Sequence, residues 1–388
     1  MKLSEGRILT THAGSLPRPK ALTEFYARRA HGEPVEQARL DEAAREGTKW
    51  VVAKQREAGI DVANDGEQAR EGFFLYVQHR MSGFGGRWKR PPWKDLASYP
   101  DFVEQRREWI SRREAVSNFD PPMAVGEVRY ADRTPLDEEI AQFEAALKEA
   151  DGGFAEAFMT APSPGIVAAA LKNQHYATED AYLDALAEAL RVEFEAAVAH
   201  GWLLQIDAPD LALERHISYA ERPVADFVGF VERVIASINK ALRNVPRDRV
   251  RLHVCWGNYE GPHDRDVALR DILPTILQAN VGGFVLPFAN PRHSHEVDLF
   301  KEIRLKDDQA LIAGVIDTTT NYIEHPEVVA ERLQRAARAV GDPRRVLAGT
   351  DCGFDTSAGM GRVAADVVWG KLKAMRDGAD IASERLFG

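Results

Sequence analysis

Arg251-Leu-His-Val-Cys-Trp256 is a short apolar run that ends in reactive side chains, and runs of this kind recur along the whole chain. Each has the length and apolar content of a buried β-strand. Eight can be read: Ile8–Ser15, Asp61–Glu67, Phe158–Ser163, Leu203–Ala208, Arg251–Trp256, Gly283–Phe288, Leu311–Asp317 and Val346–Cys352. Eight is the number of parallel strands in a (β/α)8 TIM barrel.

Amphipathic helices are predicted between these runs. One apolar stripe at helical spacing contains Leu183, Leu186, Leu190 and Phe194. Such a stripe is typical of a helix that packs one face on a core. We therefore predict an α/β fold in which residues 1–388 form a single (β/α)8 barrel domain.

The alternation breaks between residues 80 and 137, after the second predicted strand. This segment is rich in glycine, proline and tryptophan and is too long for a plain loop. We interpret it as an insertion with an extra hairpin around Val125–Tyr130. An insertion here emerges on the C-terminal face of the barrel, where it is either a lid over the active site or a surface elaboration.

The composition argues against several classes of partner. A formal net charge of −10 disfavours nucleic acid and anionic membrane surfaces. No run approaches the roughly 18 apolar residues of a membrane span, and residues 1–6 do not resemble a signal peptide. Two cysteines in 388 residues give no disulfide framework, so we expect a cytoplasmic protein. The assembly state stays open and includes a homo-oligomer.

Reactive side chains gather where the predicted strands end, which is where barrel enzymes place their active sites. His253 and Cys255 are two residues apart on one strand, so their side chains point the same way. Cys352, the other cysteine of the chain, ends the eighth strand. An imidazole and two thiolates suit Zn²⁺, whereas an isolated His-x-Cys pair is usually core packing. The matching positions of both cysteines favour zinc.

Five motifs, in order and spacing, resemble the C-terminal catalytic barrel of cobalamin-independent methionine synthase. They are Leu9–Pro19, Asp65–Glu67, Gln205–Asp207, His253–Cys255 and Asp351–Cys352. The resemblance covers the whole chain and extends to short relatives that include epoxide:thiol transferases. It implies a barrel of the uroporphyrinogen-decarboxylase and methionine-synthase type and a zinc-dependent methyltransferase that acts in methionine biosynthesis.

The resemblance also implies roles for individual residues. The family's zinc ligands match His253, Cys255 and Cys352. Its binding site for an amino-acid thiol matches Gly14, Ser15, Glu67 and Asp207, and we add His12 and Trp256 as candidate substrate-binding residues. Carboxylates pair with an α-ammonium group, while a hydroxyl and backbone N–H groups receive an α-carboxylate.

Two positions depart from the family pattern. Pro287 stands where the family has a glutamate ligand, so the fourth ligand would be water, the substrate sulfur or a displaced side chain such as Glu67, Asp207 or His12. Thr319 stands where the family has a histidine acid. Asp317 and His325 are the remaining acid–base candidates, although His325 precedes Pro326 in a pattern typical of a helix start.

The sequence thus predicts a zinc enzyme that activates a small thiol as a thiolate and transfers an alkyl group, most simply methyl, to its sulfur. Its partners would be that thiol and an alkyl donor. Three alternatives stay open: thiol addition to an epoxide, a relative that only binds its ligand, and a metal-free decarboxylase on the same barrel.

Overall fold

The structure is a computed structural model that describes residues 1–91, 93–110, 115–150 and 152–388. Its strands are β1 Val62–Ala63, β2 Phe84–Gly85, β3 Met123–Ala124, β4 Glu156–Pro162, β5 Leu203–Asp207, β6 Val250–His253, β7 Gly283–Pro287, β8 Ala310–Ile316 and β9 Val346–Thr350. Its helices are α1 Lys20–Ala30, α2 Gln37–Glu57, α3 Val77–Arg80, α4 Pro100–Ile110, α5 Thr134–Glu149, α6 Pro164–Ala170, α7 Glu179–Ala199, α8 Asp210–Leu213, α9 Val224–Ala241, α10 Leu269–Ile276, α11 Pro326–Val340 and α12 Ala365–Phe387.

Seven strands form one parallel sheet in the order β1-β4-β5-β6-β7-β8-β9. Helices follow the strands along the chain and bury an apolar face on the sheet. The apolar stripe predicted from the sequence lies on the buried face of α7, where all of its members are buried: Leu183, Leu186, Leu190 and Phe194. Among the described residues, none of the helices is both long and apolar enough to cross a membrane.

The eighth position of the barrel is filled by the segment around Thr10, which lies between β9 and β1. Thr10 forms a parallel bridge to Ala348, and its carbonyl accepts hydrogen bonds from the backbone N–H groups of Asp61 and Val62. The predicted first strand is shortened to this bridge because side chains take over part of its backbone pairing: the N–H of Thr10 donates to Asp61 Oδ2 at 2.9 Å. The predicted (β/α)8 fold class is confirmed, with one strand reduced to a single residue.

A polar layer lies inside the barrel beneath the strand ends. Arg251 is fully buried, and its guanidinium donates to Gln205 Oε1, Thr11 Oγ1 and the carbonyl of His12. The same guanidinium lies 3.7 Å from the centroid of the Phe158 ring. Because each of the three guanidinium nitrogens donates to an acceptor, this layer ties three barrel positions together below the site.

The segment predicted as an insertion contains the short antiparallel pair of β2 and β3, a 3₁₀ turn at Leu96–Ser98, and α4. The extra hairpin predicted around Val125–Tyr130 is not formed locally: β3 pairs with β2, and Tyr130 forms a bridge to Met81 at the start of the segment. Residues 92 and 111–114 of the predicted insertion lie outside the described residues. The barrel resumes with α5, which precedes β4.

Candidate active site

His253, Cys255 and Cys352 meet in the mouth of the barrel. One ligand atom from each lies within 4.8 Å of the others, and the two sulfurs are 3.9 Å apart. His253 ends β6, and Cys352 follows β9 by two residues. Since β7 and β8 lie between these strands in the sheet, the cluster joins separated parts of the barrel wall.

These three side chains fit a zinc ion. Neither ring nitrogen of His253 has a hydrogen-bond partner in the described part of the chain, although the ring is buried. Such orphaned polar atoms are costly unless a ligand satisfies them. Neither cysteine is in a disulfide, so the sulfur atoms of both are available as metal ligands. One imidazole and two thiolates with an open fourth position is the ligand set of a catalytic rather than a structural zinc site.

The two thiols have unlike electrostatic surroundings. The hydrogen bond with Cys352, together with the attraction of His253, lowers the pKa of Cys255 well below its ordinary value, against the effect of burial. The same hydrogen bond, reinforced by burial, raises the pKa of Cys352. Of the two thiols, Cys255 therefore loses its proton more readily.

Glu67, Asp207 and Ser15 line the same cavity as the cysteine pair. Glu67 accepts a hydrogen bond from Thr160 Oγ1 at 3.0 Å through Oε1, while its Oε2 has no partner among the described residues. Asp207 Oδ1 accepts from Gln205 Nε2 at 2.7 Å, and Ser15 Oγ is buried without a partner in the described chain. Burial raises the pKa of both carboxyl groups. Buried carboxylates with an open lone pair are suited to an ammonium group.

Gly14 allows Glu67 to approach the first strand. Its φ is +124°, and a Cβ atom there would lie 2.7 Å from Thr160 Cγ2 and 2.9 Å from Glu67 Oε1. A side chain would therefore displace the carboxylate or its hydrogen-bond partner. Gly14 contributes to the site through the space that it leaves.

His12 and Trp256 are less directly placed than the sequence predicts. His12 is buried outside the lining of both cavities: its Nε2 meets Gln55 Oε1 at 2.8 Å, and its Nδ1 accepts from the N–H of Gly14. Burial lowers the pKa of His12 to about 3, which agrees with a neutral ring that accepts this bond. Trp256 lines only the smaller cavity, and its indole N–H donates to the carbonyl of Val267.

The two acid–base candidates, Asp317 and His325, lie in different parts of the structure. Asp317 lines the smaller cavity, but its Oδ1 accepts four hydrogen bonds from the backbone and hydroxyls of Thr319 and Thr320. His325 lies in neither cavity; it is exposed and caps α11 by accepting from the N–H of Glu327. The tight turn at Asp317 and the helix start at Pro326 carry His325 away from the strand ends. The structure thus does not bring His325 to the site.

Two cavities meet at the cysteine pair. The larger, of about 580 Å³, has His253, Glu67, Asp207 and Ser15 in its lining. The smaller, of about 220 Å³, is lined by Pro287, Asp317, Thr319 and Asp351 among others. The two positions that depart from the family pattern, Pro287 and Thr319, therefore both lie on the side of the smaller cavity.

The sequence did not identify the residues that wall the larger cavity. They come from the segment between β2 and β3 and include Trp93, Leu96, Phe102, Arg106 and Phe119. The richness of this segment in aromatic residues and proline is the only sequence signal for them, and it does not say which side chains face the barrel.

An acidic residue also organises the loop after β6. The side chain of Asp266 is buried and contacts His263 and His293 at 2.9 and 2.8 Å, and it lies 3.1 Å from His216. The His293 ring stacks on Trp256 with a centroid distance of 3.7 Å. The residue after Cys255 is therefore fixed by a buried ionic cluster.

Comparison with known proteins gives several relatives that are named methionine synthase. No family model matches the chain. A protein of Sulfolobus acidocaldarius named methionine synthase is 28% identical over 350 residues, which is 89% of this chain and 85% of that protein. A Pyrococcus furiosus protein of the same name is 26% identical over 346 residues, 89% of this chain and 86% of that one.

A solved structure supports the same comparison at the level of the fold. It is that of a B12-independent methionine synthase from Shewanella sp. W3-18-1 in complex with selenomethionine. It superposes with a TM-score of 0.72 at 21% identity and covers 98% of this chain and 99% of that chain. The fold class and the family resemblance predicted from the motifs are confirmed.

Proposed function

Because the chain is a relative of the cobalamin-independent methionine synthases, we propose that it transfers a methyl group to the sulfur of a small amino-acid thiol of the homocysteine type. One observation carries this proposal. The buried His253, Cys255 and Cys352 line the floor of the larger cavity together with Glu67 and Asp207, so the candidate metal ligands and the two carboxyl groups proposed to bind an ammonium group face the same space. A substrate with both a thiol and an amino group satisfies both sets at once.

His253, Cys255 and Cys352 would hold one zinc ion, which would keep a substrate thiol deprotonated at neutral pH. The chain's own residues orient that substrate. The free Oε2 of Glu67 and the carboxylate of Asp207 would receive the ammonium group, and Ser15 Oγ would donate to the α-carboxylate. These contacts turn the sulfur toward the cysteine pair and limit its freedom before the reaction.

The group transfer balances without an oxidant or reductant. The sulfur of the acceptor forms a bond to the methyl carbon, and the bond from that carbon to the donor's leaving atom breaks. The electron pair of the broken bond leaves with the donor, and the thiol proton of the acceptor is released to solvent. The buried floor of the larger cavity excludes water, which favours this displacement over hydrolysis of the methyl donor.

Thiol addition to an epoxide is the second candidate, and Pro287 favours it. Pro287 ends β7 and lines the smaller cavity, and its ring supplies no carboxylate to a metal. A thiolate bound to a metal with fewer anionic ligands is a weaker nucleophile. A strained epoxide ring still reacts with such a nucleophile, whereas a methylated amine requires a stronger one.

Binding and product analysis together test the proposal. L-homocysteine titrated into the zinc-loaded full chain at pH 7 should bind with release of about one proton. A free thiol has a pKa near 8.5 and is protonated at pH 7, whereas the bound thiol would be deprotonated. Methionine should form when 5-methyltetrahydrofolate or a methylsulfonium compound is added. Both signals should be lost in His253→Ala and kept in the matched control His175→Ala, since His175 is exposed and far in sequence from the cluster. Homocysteine binding without proton release, or thioether formation only from a thiol and an epoxide, would contradict the methyl-transfer proposal.

A further inference from the structure

The proposed transfer needs a proton donor, and neither of the acid–base candidates predicted from the sequence supplies one. An amine nitrogen or an epoxide oxygen leaves the transferred carbon readily only when it gains a proton. The carboxyl group of Asp317 accepts four hydrogen bonds through Oδ1 from Thr319 and Thr320, so it holds the turn together. His325 caps α11 away from both cavities. A different acid is therefore needed.

The smaller cavity is the space that is open to the leaving atom. Cys255 and Cys352 line both cavities. Glu67 and Asp207, which are proposed to hold the acceptor, line only the larger one. The attacking sulfur, the transferred carbon and the leaving atom are aligned in a displacement. An acceptor that lies in the larger cavity with its sulfur at the cysteine pair therefore leaves the smaller cavity for the leaving atom.

His263 lines this smaller cavity and has a carboxylate partner. Its Nδ1 lies 2.9 Å from Oδ2 of the buried Asp266 side chain, and its Nε2 lies 2.9 Å from the carbonyl oxygen of Tyr259. Both partners accept hydrogen bonds, so the protonated ring, which has two N–H donors, satisfies both of them. The ring also stacks on the ring of Tyr259 with centroids 4.0 Å apart, a contact that favours a cation. The contacts of His263 are those of an imidazolium.

The electrostatic surroundings of His263 agree with its contacts. Burial by itself would lower the pKa of His263, but the hydrogen bond to Asp266 and the charge of that carboxylate outweigh burial and raise it. Asp95 adds to this effect, and its Oδ2 accepts from the backbone N–H of His263 at 3.3 Å. The other titratable groups that face the ring or line its cavity are His216, Cys255, Tyr259, Glu260, Arg292, His293, Asp317, Asp351 and Cys352. The cavity therefore holds a ring that keeps its proton to a higher pH than a free histidine does.

His293 lines the same cavity but is held more firmly than His263. Its ring nitrogens lie 2.7 Å from Glu296 Oε2 and 2.8 Å from Asp266 Oδ2, so each of them meets a carboxylate. His263 has a carboxylate on one side only, and the neutral carbonyl on its other side is the weaker acceptor. The side chain of His263 is also 15% exposed, against 7% for His293, so His263 is the ring that a ligand reaches more readily.

We propose that His263 is the general acid of the transfer and that Asp266 positions it. The bond from the transferred carbon to the leaving nitrogen or oxygen breaks, its electron pair stays on the leaving atom, and that atom takes the proton from His263 Nε2. His263 is left neutral and regains a proton from solvent, which has received the thiol proton of the acceptor. The inference rests on the proposed function, and it applies equally to methyl transfer from an amine and to the opening of an epoxide.

Histidine titration by NMR of the zinc-loaded full chain gives a first readout that needs no substrate. The ring of His263, assigned by its absence from the spectrum of His263→Gln, should titrate above the ordinary pKa of about 6.5. Asp266→Asn removes the carboxylate and should lower that pKa, whereas His295→Gln should leave it unchanged. His295 is the matched control because it is exposed, lies two residues from His293 and lines neither cavity.

Turnover with two classes of alkyl donor gives the second readout. 5-Methyltetrahydrofolate and propylene oxide have leaving atoms that need a proton, whereas trimethylsulfonium releases dimethyl sulfide, which needs none. His263→Gln should slow transfer from the first class about 10²- to 10⁴-fold, the usual contribution of a general acid. Transfer from trimethylsulfonium and the zinc content should stay as in the wild type, and His295→Gln should change no rate. The rate with the first class should fall as the pH rises and His263 loses its proton, and this fall should occur at lower pH in Asp266→Asn.

The inference is overturned if His263→Gln slows both classes of donor equally or leaves the first class unchanged, or if Asp266→Asn does not shift the pH profile. A wild-type chain that uses only trimethylsulfonium also overturns it, while methyl transfer to the thiol stands. A wild-type chain that uses only the epoxide contradicts methyl transfer, and slowing of that reaction in His263→Gln still supports the acid. A wild-type chain that uses none of the donors contradicts the proposed function and the inference together.

Discussion

Glu67 is held in a backbone conformation that residues other than glycine rarely adopt. Its φ is +58°, and the preceding Gly66 is also at positive φ. Asn64 and Asp65 stabilise this turn by accepting, through Oδ1, from the N–H groups of Gly66 and Glu67. Strain of this kind costs on the order of 1 kcal/mol or more and is commonly kept at functional sites. Here it aims a carboxylate with a free oxygen into the cavity.

Glu67→Gln tests this role at the residue. The amide keeps the shape of the side chain but loses the charge, so the affinity for L-homocysteine should fall roughly 10- to 100-fold, as expected for a lost hydrogen bond between charged groups. Calorimetric titration measures the affinity. The zinc content should stay as in the wild type, because Glu67 lies outside the ligand cluster. An unchanged affinity would remove Glu67 from the substrate site.

The sequence predicts which candidate residues lie close together when those residues are on or directly after a strand. His253, Cys255, Cys352, Glu67 and Asp207 meet as expected, because parallel strands of a barrel end on one face. His325 lies away from the site because seven residues separate it from Asp317 and the helix start at Pro326, which the sequence indicates, holds it at the surface. His12 sits on the correct segment, but only the packing shows that its ring turns to Gln55.

At the level of elements, a buried ionic network fastens the segment after β1 to the barrel helices. Arg70 and Arg80 both donate to Glu139 of α5, at 2.7 Å each. Arg80 also pairs with Glu193 of α7 at 2.9 Å. Burial alone would raise the pKa of Glu139, but the two arginines outweigh it and lower that pKa to about 2. This contribution to stability is therefore present above the unfolded-state pKa of roughly 4.3 and is lost as the pH falls toward 2.

Glu139→Gln should lower the free energy of unfolding by about 3–5 kcal/mol, because it removes the buried carboxylate that Arg70 and Arg80 share and leaves Arg80 with Glu193 alone. Asp137→Asn on the same helix is the matched control. Asp137 forms an exposed pair with Arg133 at 2.9 Å, and such pairs contribute less than about 1 kcal/mol. Urea unfolding at pH 7 measures both variants. Similar midpoints for the two would show that the network does not stabilise the fold.

The eight strands could be predicted from the sequence, whereas the path of the segment between them could not. A strand is local, and its apolar run is visible within six or seven residues. The pairing of β2 with β3 joins residues about forty positions apart, and its two-residue strands carry no periodic pattern. The aromatic wall of the larger cavity depends on that pairing, so it was visible only in three dimensions.

At the scale of the whole molecule, the barrel closes through contacts between distant parts of the chain. Thr10 near the start bridges Ala348 near the end, and Arg376 of α12 donates to Asp61 Oδ2 at 2.9 Å. The candidate metal site spans the same closed barrel, because Cys255 and Cys352 approach from strands that are not neighbours. A metal held there would join the two sides of the mouth and position every substrate group relative to them.

Zinc content tests this account most directly. Elemental analysis of the purified full chain should give one zinc per molecule, which is lost in both Cys255→Ser and Cys352→Ser and retained in His175→Ala. A wild-type protein that holds no zinc when supplied with it, or zinc that is retained in both serine variants, would contradict the claim that these side chains form one metal centre.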